Sequence, residues 1–140
     1  LYVGDVRIEV LYPYEKKEDE NDNSLVTYIS FCEYNILCLG DLTCSYEEEV
    51  IEYLKINNLK VDIIKIGHHG SSTSTSNELL DMCKAKYAII MIGKKWVNVF
   101  PDLSIINRLN EYNIKVLSTK VLYSFTLHFY NKSIYISSVH

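Results

Sequence analysis

The chain has 140 residues, of which 48% are hydrophobic and 23% are charged, and its formal net charge is −4. This length accommodates one domain with a hydrophobic core, and the composition excludes an intrinsically disordered chain. No apolar run approaches the roughly 20 residues that cross a bilayer. The negative net charge excludes a general attraction to nucleic acid, so phosphate binding would need a local basic patch or a metal ion.

The pattern of apolar residues predicts strands along most of the chain. A first strand begins near Val6 and ends at Pro13, and residues 14–23 form a polar, acidic loop. Further strands are predicted at residues 24–32, 35–39, 61–66, 87–92, 115–118, 123–130 and 133–138. The first two of these are expected to form a hairpin that turns at Glu33-Tyr34, and the last two a hairpin that turns around Asn131-Lys132.

Three helices are predicted between the strands. The first begins at Ser45, with Glu48 three residues later in the pattern of a capping box. The second begins near Ser76 or Asn77 and ends near Lys84, and the third follows Pro101. Strands that alternate with helices, with hairpins at both ends, predict a single α/β domain over residues 1–140, with a mixed β-sheet and flanking helices.

Two loops at the ends of apolar strands carry the candidate chemistry. One contains a Gly-Asp pair that ends at Asp41, and the other a Gly-His-His-Gly-Ser stretch that includes His68 and His69. Ligands of open α/β sheets bind at the carboxyl ends of the strands. Imidazole is a common ligand of zinc and manganese, and two adjacent histidines between glycines are hard to explain by packing. Because consecutive side chains point in different directions, we favour His68 as the metal ligand and His69 as its support or a substrate contact.

Three weaker candidates are polar residues near these loops. Ser71 and Ser72 could contact phosphate oxygens, although capping of the next helix explains hydroxyl residues equally well. Lys65 could pair with a carboxylate or a substrate phosphate, or simply extend towards solvent from the strand end. A Lys-Lys-Trp stretch that ends at Trp96 is the one basic-aromatic group of the sequence, and we interpret it as a solvated loop.

The order strand, Gly-Asp, helix, strand, Gly-His-His-Gly-Ser, helix, strand resembles the metallo-β-lactamase superfamily. More narrowly, the sequence resembles the C-terminal soluble domain of ComEC-type competence proteins, which take up DNA. The most specific match is the string D-x-x-K-x-G-H-H-G-S from Asp62 to Ser71. The matching segments are residues 23–26, 36–42, 61–71, 87–90 and 109–116, which extend over nearly the whole chain.

The resemblance implies the C-terminal half of an αββα sandwich with one or two divalent ions, zinc or manganese, between its sheets. It implies that Asp41, with His68 or His69, forms the metal-binding and catalytic set. The implied activity is hydrolysis of DNA phosphodiesters, in which a bound ion lowers the pKa of a water molecule and supplies hydroxide.

Three departures from the family pattern bear on this expectation. The HxHxDH motif of the superfamily is absent and is expected upstream of Leu1, in an N-terminal half. Since a catalytic zinc site needs at least three protein ligands, we expect the chain alone to be inactive. Phe100 stands where the family has a histidine, and an aromatic ring of this kind cannot coordinate. Tyr123 stands where the family has a glycine.

Three hypotheses follow for function. The chain is part of a ComEC-like hydrolase completed by its N-terminal half, a catalytically degenerate module that binds DNA or a protein partner, or a hydrolase of another specificity in the superfamily, for example for lactones or thioesters. An exposed inner sheet face predicts a homodimer, or pairing with the N-terminal half. The chain itself is expected to be soluble without membrane contact: cytoplasmic if it stands alone, or a soluble domain of a membrane protein.

Overall fold

The computed structural model of the protein describes residues 1–130 and 133–139. The strands are β1 (Tyr2–Val3), β2 (Val6–Tyr12), β3 (Val26–Phe31), β4 (Tyr34–Cys38), β5 (Ile63–Lys65), β6 (Tyr87–Ile90), β7 (Lys115–Ser118), β8 (Ser124–Tyr130) and β9 (Ser133–Val139). The α-helices are α1 (Glu47–Ile56), α2 (Asn77–Cys83), α3 (Leu103–Glu111) and α4 (Thr119–Leu122). The predicted turn at Asn131-Lys132 lies outside the described residues.

Strands β1 to β7 form one sheet in the order of the sequence. The pairs from β1 to β4 are antiparallel, and the pairs from β4 to β7 are parallel. Helices α1, α2 and α3 connect the successive parallel strands, while β8 and β9 pair with each other in a second, antiparallel sheet. The prediction of an α/β fold with a mixed sheet and flanking helices is therefore confirmed.

One face of the large sheet carries the main hydrophobic core. Leu37, Ile64 and Ala88 are register neighbours on β4, β5 and β6, so their side chains share this face. All three are fully buried in one cluster with residues of α1, α2 and α3, namely Val50, Leu54, Leu79, Leu80, Ile105 and Leu109. The three helices therefore pack on this face, as expected for right-handed crossovers that add strands in one direction.

The opposite face of the sheet carries the β8–β9 hairpin. The Phe129 ring of β8 lies with its centroid 4.7 Å from that of Tyr34 and 6.4 Å from that of Phe31. Val10, which register places on the same face of β2, is 56% exposed. The hairpin thus leaves part of this face accessible, and the homodimer expected through it stays a prediction.

The starts of the helices differ in part from expectation. The capping box at Ser45 is wrong, because residues Cys44–Tyr46 form a 3-10 turn and α1 begins at Glu47 without a side-chain cap. Helix α2 begins at Asn77, one of its two predicted starts, and is capped by the Ser76 side chain. Helix α3 follows Pro101 and is capped by Asp102. Within the described part of the chain, no helix combines the length and apolar character that a bilayer span requires.

Candidate functional site

The two predicted loops lie side by side at one edge of the sheet. Asp41 follows β4 and His68 follows β5, and these strands are parallel neighbours whose carboxyl ends meet. The carbonyl oxygen of Gly40 accepts a hydrogen bond from the backbone N–H of His68 at 3.0 Å. It also accepts one from the Nζ of Lys65 at 2.9 Å. A single carbonyl group therefore fixes the distance between the loops.

The direction of Asp41 depends on the glycine before it. Gly40 has φ of +60°, and a Cβ there would lie 2.7 Å from the Cβ of Ser24. This close approach lets the Ser24 Oγ accept the backbone N–H of Asp41 at 2.9 Å. Only glycine fits both the backbone angle and the space, so this residue is what presents Asp41 at the mouth of the sheet.

Asp41 faces His69. The Oδ1 of Asp41 lies 3.9 Å from the Nε2 of His69, and the two side chains are 37% and 39% exposed. The Nδ1 of His69 lies 2.7 Å from the carbonyl oxygen of Met91, so this nitrogen carries the proton and donates it. The other ring nitrogen, Nε2, is the one that faces Asp41. A backbone carbonyl that orients the far ring nitrogen in this way is typical of histidines that bind metals.

His68 occupies a different environment. Its Nδ1 is buried, with no hydrogen-bond partner among the described residues. The ring of Phe100 packs against both histidines, with centroid distances of 5.9 Å to His68 and 6.3 Å to His69. The preference for His68 as ligand stays a prediction, whereas it is His69 that the structure brings to Asp41.

The backbone of both histidines is in the left-handed region. His68 has φ of +43° and His69 has φ of +55°, within the 3-10 turn Gly67–Gly70. Positive φ is uncommon outside glycine and concentrates at functional sites, where the surrounding structure enforces it. The turn is held by Gly70, where a Cβ would lie 2.7 Å from the Cβ of Pro101.

The donors at this site fit a divalent ion in part. Two ligands about 2 Å from one tetrahedral ion lie roughly 3.3 Å apart, and the Asp41–His69 separation of 3.9 Å is within a small side-chain movement of this value. Across residues 1–130 and 133–139, however, no three His, Cys, Asp or Glu side chains come together as a metal cluster. Within these ranges, Asp41 and His69 are therefore a pair of possible donors and not a closed metal site.

Lys65 brings a positive charge close to the pair. Burial lowers the pKa of Lys65, while the charges of Asp41 and Cys38 oppose this shift. Burial likewise raises the pKa of the Cys38 thiol, which is register-paired with Lys65. The ammonium group binds the Gly40 carbonyl rather than extending into solvent. Lys65 thus stabilises the loop that carries Asp41 and places a cation beside this carboxylate.

The predicted phosphate contacts, Ser71 and Ser72, differ in their surroundings. The Ser71 Oγ lies 3.0 Å from the Oγ1 of Thr73 and accepts the backbone N–H of the same residue. Ser72 is exposed. Both lie on the loop beside the histidines, and a role in substrate binding stays a prediction for each.

The loop after the histidines is anchored by residues that the sequence pattern did not single out. Glu47 is buried, and its carboxylate accepts the backbone N–H groups of Thr75 and Ser76. Arg108 of α3 donates to the carbonyl groups of Ser74 and Thr75. Glu47 stands in a run of three glutamates, and nothing in the sequence distinguishes it from its neighbours.

Comparison with known proteins relates the chain to a class of competence proteins. No family model matches it. It is 32% identical over 120 residues to the ComE operon protein 3 of Bacillus subtilis, a match that covers 85% of this chain and 15% of that protein. It is 33% identical over 102 residues to the Recombination protein 2 of Haemophilus influenzae, with 73% and 12% covered. It is 32% identical over 115 residues to the Competence protein ComA of Neisseria gonorrhoeae, with 81% and 16% covered.

These similarities support a relationship to ComEC-type competence proteins. The chain spans only 12 to 16% of the length of these relatives. The similarity therefore concerns one segment of much longer proteins.

Proposed function

We propose that this chain supplies two ligands, Asp41 and His69, to the divalent-metal centre of a hydrolase that acts on DNA phosphodiesters. The observation that supports this most is the pairing of the Asp41 carboxylate with a His69 ring whose other nitrogen is held by the Met91 carbonyl. The relatives are competence proteins, and handling of DNA fits a phosphodiester substrate.

The further ligands would come from an N-terminal half that completes an αββα sandwich in the longer protein. With them bound, the ion would activate a water molecule and stabilise charge on the scissile phosphate. Asp41 and His69 would hold the ion, and the Met91 carbonyl would accept the Nδ1 proton of His69 and so orient Nε2 towards the ion. Lys65 would fix the Asp41 loop, and Ser71 and Ser72, on the loop beside the histidines, would contact phosphate oxygens.

The proposal is tested by metal binding. We expect the chain to bind zinc or manganese weakly, and Asp41→Asn and His69→Gln each to weaken binding at least about tenfold, because loss of a group that only orients a ligand already costs about 10- to 100-fold. The measurement is titration calorimetry, with elemental analysis of the loaded protein. His68→Gln decides which histidine is the ligand, since the His69 Nε2 lies near the Asp41 carboxylate, whereas the His68 Nδ1 is buried without a hydrogen-bond partner among the described residues.

A matched control comes from the hairpin. His128 is exposed and contacts Ser137, so His128→Gln should leave metal binding unchanged. If all three histidine variants bound metal as the wild type does, neither His68 nor His69 would be a metal ligand, and the proposed site would be excluded. Nuclease assays in the longer protein, with and without Asp41→Asn, would then test the hydrolysis of DNA.

A second candidate is a catalytically degenerate module that binds DNA without cutting it. Phe100 favours it, because a ring that cannot coordinate packs against both histidines. In that case DNA binding persists, whereas neither this chain nor the longer protein binds metal through Asp41.

A further inference from the structure

We propose that Lys94, Lys95 and Trp96 form a stacking site, here called the Trp96 platform, for an unpaired base of single-stranded nucleic acid beside the Asp41–His69 pair. The inference rests on the proposed function, since it names the form of the substrate. From the sequence alone, these three residues are interpreted as an ordinary solvated loop.

The first argument is position. The Trp96 ring contacts the Phe100 ring with a centroid distance of 6.2 Å, and Phe100 in turn contacts His69 at 6.3 Å. Trp96 is therefore two ring contacts away from the histidine that faces Asp41. A base on Trp96 would place its neighbouring phosphates close to the candidate ligands.

The second argument is exposure. Trp96 is 44% exposed, and it lies in the 3-10 turn Lys94–Trp96. Val99 and Met91, in the same segment between β6 and α3, are 57% and 51% exposed, so this segment extends away from the hydrophobic core. Every base has a π-face, and stacking on an exposed aromatic ring is how proteins bind single strands without reading their sequence. A base pair in a duplex is already stacked on both faces and is not available to such a ring.

The third argument is charge. Lys94 and Lys95 are exposed, and neither forms an ion pair among the described residues. The Nζ of Lys95 lies 4.9 Å from the Trp96 ring centroid, so a cation accompanies the stacking surface. Lys120 reaches the Phe100 carbonyl from α4 at 3.2 Å. The nearby carboxylate of Asp102 is occupied by the backbone N–H and hydroxyl of Ser104.

These charges form a local exception in an acidic chain. The formal net charge is −4, so an attraction to phosphate cannot come from the protein as a whole. It has to come from a patch in which lysines are not neutralised by carboxylates, and the Trp96 platform is such a patch. Backbone contacts by these lysines would carry the affinity, and Trp96 would carry the preference for unpaired bases.

The test uses the fact that Trp96 is the single tryptophan of the chain. Its fluorescence is followed during titration with a single-stranded oligothymidine and with a duplex of the same length, in EDTA and at low salt. We expect saturable quenching by the single strand and little by the duplex. Absence of quenching by the single strand, or equal quenching by the duplex, would overturn the proposal.

Binding to an end-labelled single strand, measured by fluorescence anisotropy, tests the residues directly. Trp96→Ala should weaken binding roughly 5- to 100-fold, as for loss of one base–aromatic stack, and Trp96→Phe should retain part of it. Lys94→Ala should reduce the slope of log affinity against log salt by about 0.7, as for one phosphate contact on a single strand. Tyr14→Ala is the matched control, because Tyr14 is 64% exposed in the acidic loop. Wild-type affinity in Trp96→Ala would overturn the platform.

Since EDTA removes metal, this test is independent of catalysis. Single-strand binding that depends on Trp96, together with no metal binding through Asp41, would refute the hydrolase and leave the platform. Metal binding through Asp41, without any effect of Trp96 substitution on single-strand binding, would refute the Trp96 platform and leave the proposed metal centre.

Discussion

Two loops that leave neighbouring parallel strands at the same edge of the sheet are held in very different ways. The loop between β5 and α2, here the histidine loop (residues 66–76), is fixed by the buried Glu47 of α1 and the half-buried Arg108 of α3. The loop between β6 and α3, here the tryptophan loop (residues 91–102), is largely exposed from residue 93 to 99. Groups that must keep their geometry for chemistry need rigid support, whereas a surface that follows a flexible ligand gains from freedom. The difference thus predicts opposite responses to similar substitutions.

The largest expected effect is at Gly70 in the histidine loop. Gly70 has φ of +88°, and a Cβ would lie 2.7 Å from the Cβ of Pro101. Gly70→Ala therefore combines backbone strain with a clash, and we expect it to lower the free energy of unfolding by about 2 to 5 kcal/mol. Urea denaturation followed by circular dichroism measures this change.

The tryptophan loop supplies the control. Gly93 has φ of −78°, and nothing lies within 4 Å of the position of its Cβ. Gly93→Ala should leave the free energy of unfolding unchanged or raise it by up to about 1 kcal/mol, because alanine restricts the unfolded chain. Equal destabilisation by the two substitutions would contradict the contrast between the loops.

An intermediate effect is expected at Glu47, which supports the histidine loop from α1. Its carboxylate accepts two backbone N–H groups, and the amide of Glu47→Gln can accept only through its one oxygen. We expect a loss of about 1 to 3 kcal/mol in the free energy of unfolding, since a buried donor is left without its partner.

The matched variant for this prediction is Glu48→Gln. Glu48 is exposed, and it lies in the same first turn of α1. The substitution Glu48→Gln removes the same charge from the same helix end, and we expect it to lower the free energy of unfolding by no more than about 1 kcal/mol. If Glu48→Gln destabilised the protein as much as Glu47→Gln, the effect would belong to the helix dipole and not to the histidine loop.

Much of the fold could be predicted from the sequence because local patterns encode it. Strand β7 has the predicted bounds, and α2 begins at Asn77, one of its two predicted starts. The errors occur where tertiary contacts override local preference. The first helix begins at Glu47 rather than Ser45, because Glu47 is drawn inwards to bind the histidine loop. The first hairpin turns one residue earlier than predicted, at Cys32-Glu33, with φ of +53° at Cys32.

The candidate site could be predicted as a set of residues but not as a geometry. Gly-Asp and Gly-His-His-Gly-Ser predict Asp41, His68 and His69 as site residues, and the structure brings Asp41 and His69 together. Their role as metal ligands stays a prediction. Which histidine faces Asp41 depends on the Met91 carbonyl, a backbone group 22 residues away from His69. No sequence pattern contains this information. Tyr123 has a positive φ of +56°, a backbone conformation that favours glycine.

The smallest expected effects compare the cation that binds backbone carbonyls in each loop. Arg108 is half-buried and donates to Ser74 and Thr75 of the histidine loop, whereas Lys120 is exposed and donates to Phe100 of the tryptophan loop. Arg108→Met should lower the free energy of unfolding by about 1 to 2 kcal/mol, because two carbonyl groups lose a charged donor. Lys120→Met should change the free energy of unfolding by less than about 0.5 kcal/mol, since water can donate to the Phe100 carbonyl in place of an exposed lysine. Denaturation of both variants side by side measures the difference. A larger loss at Lys120 than at Arg108 would mean that the tryptophan loop is held as firmly as the histidine loop, and a base on Trp96 would then meet a rigid surface.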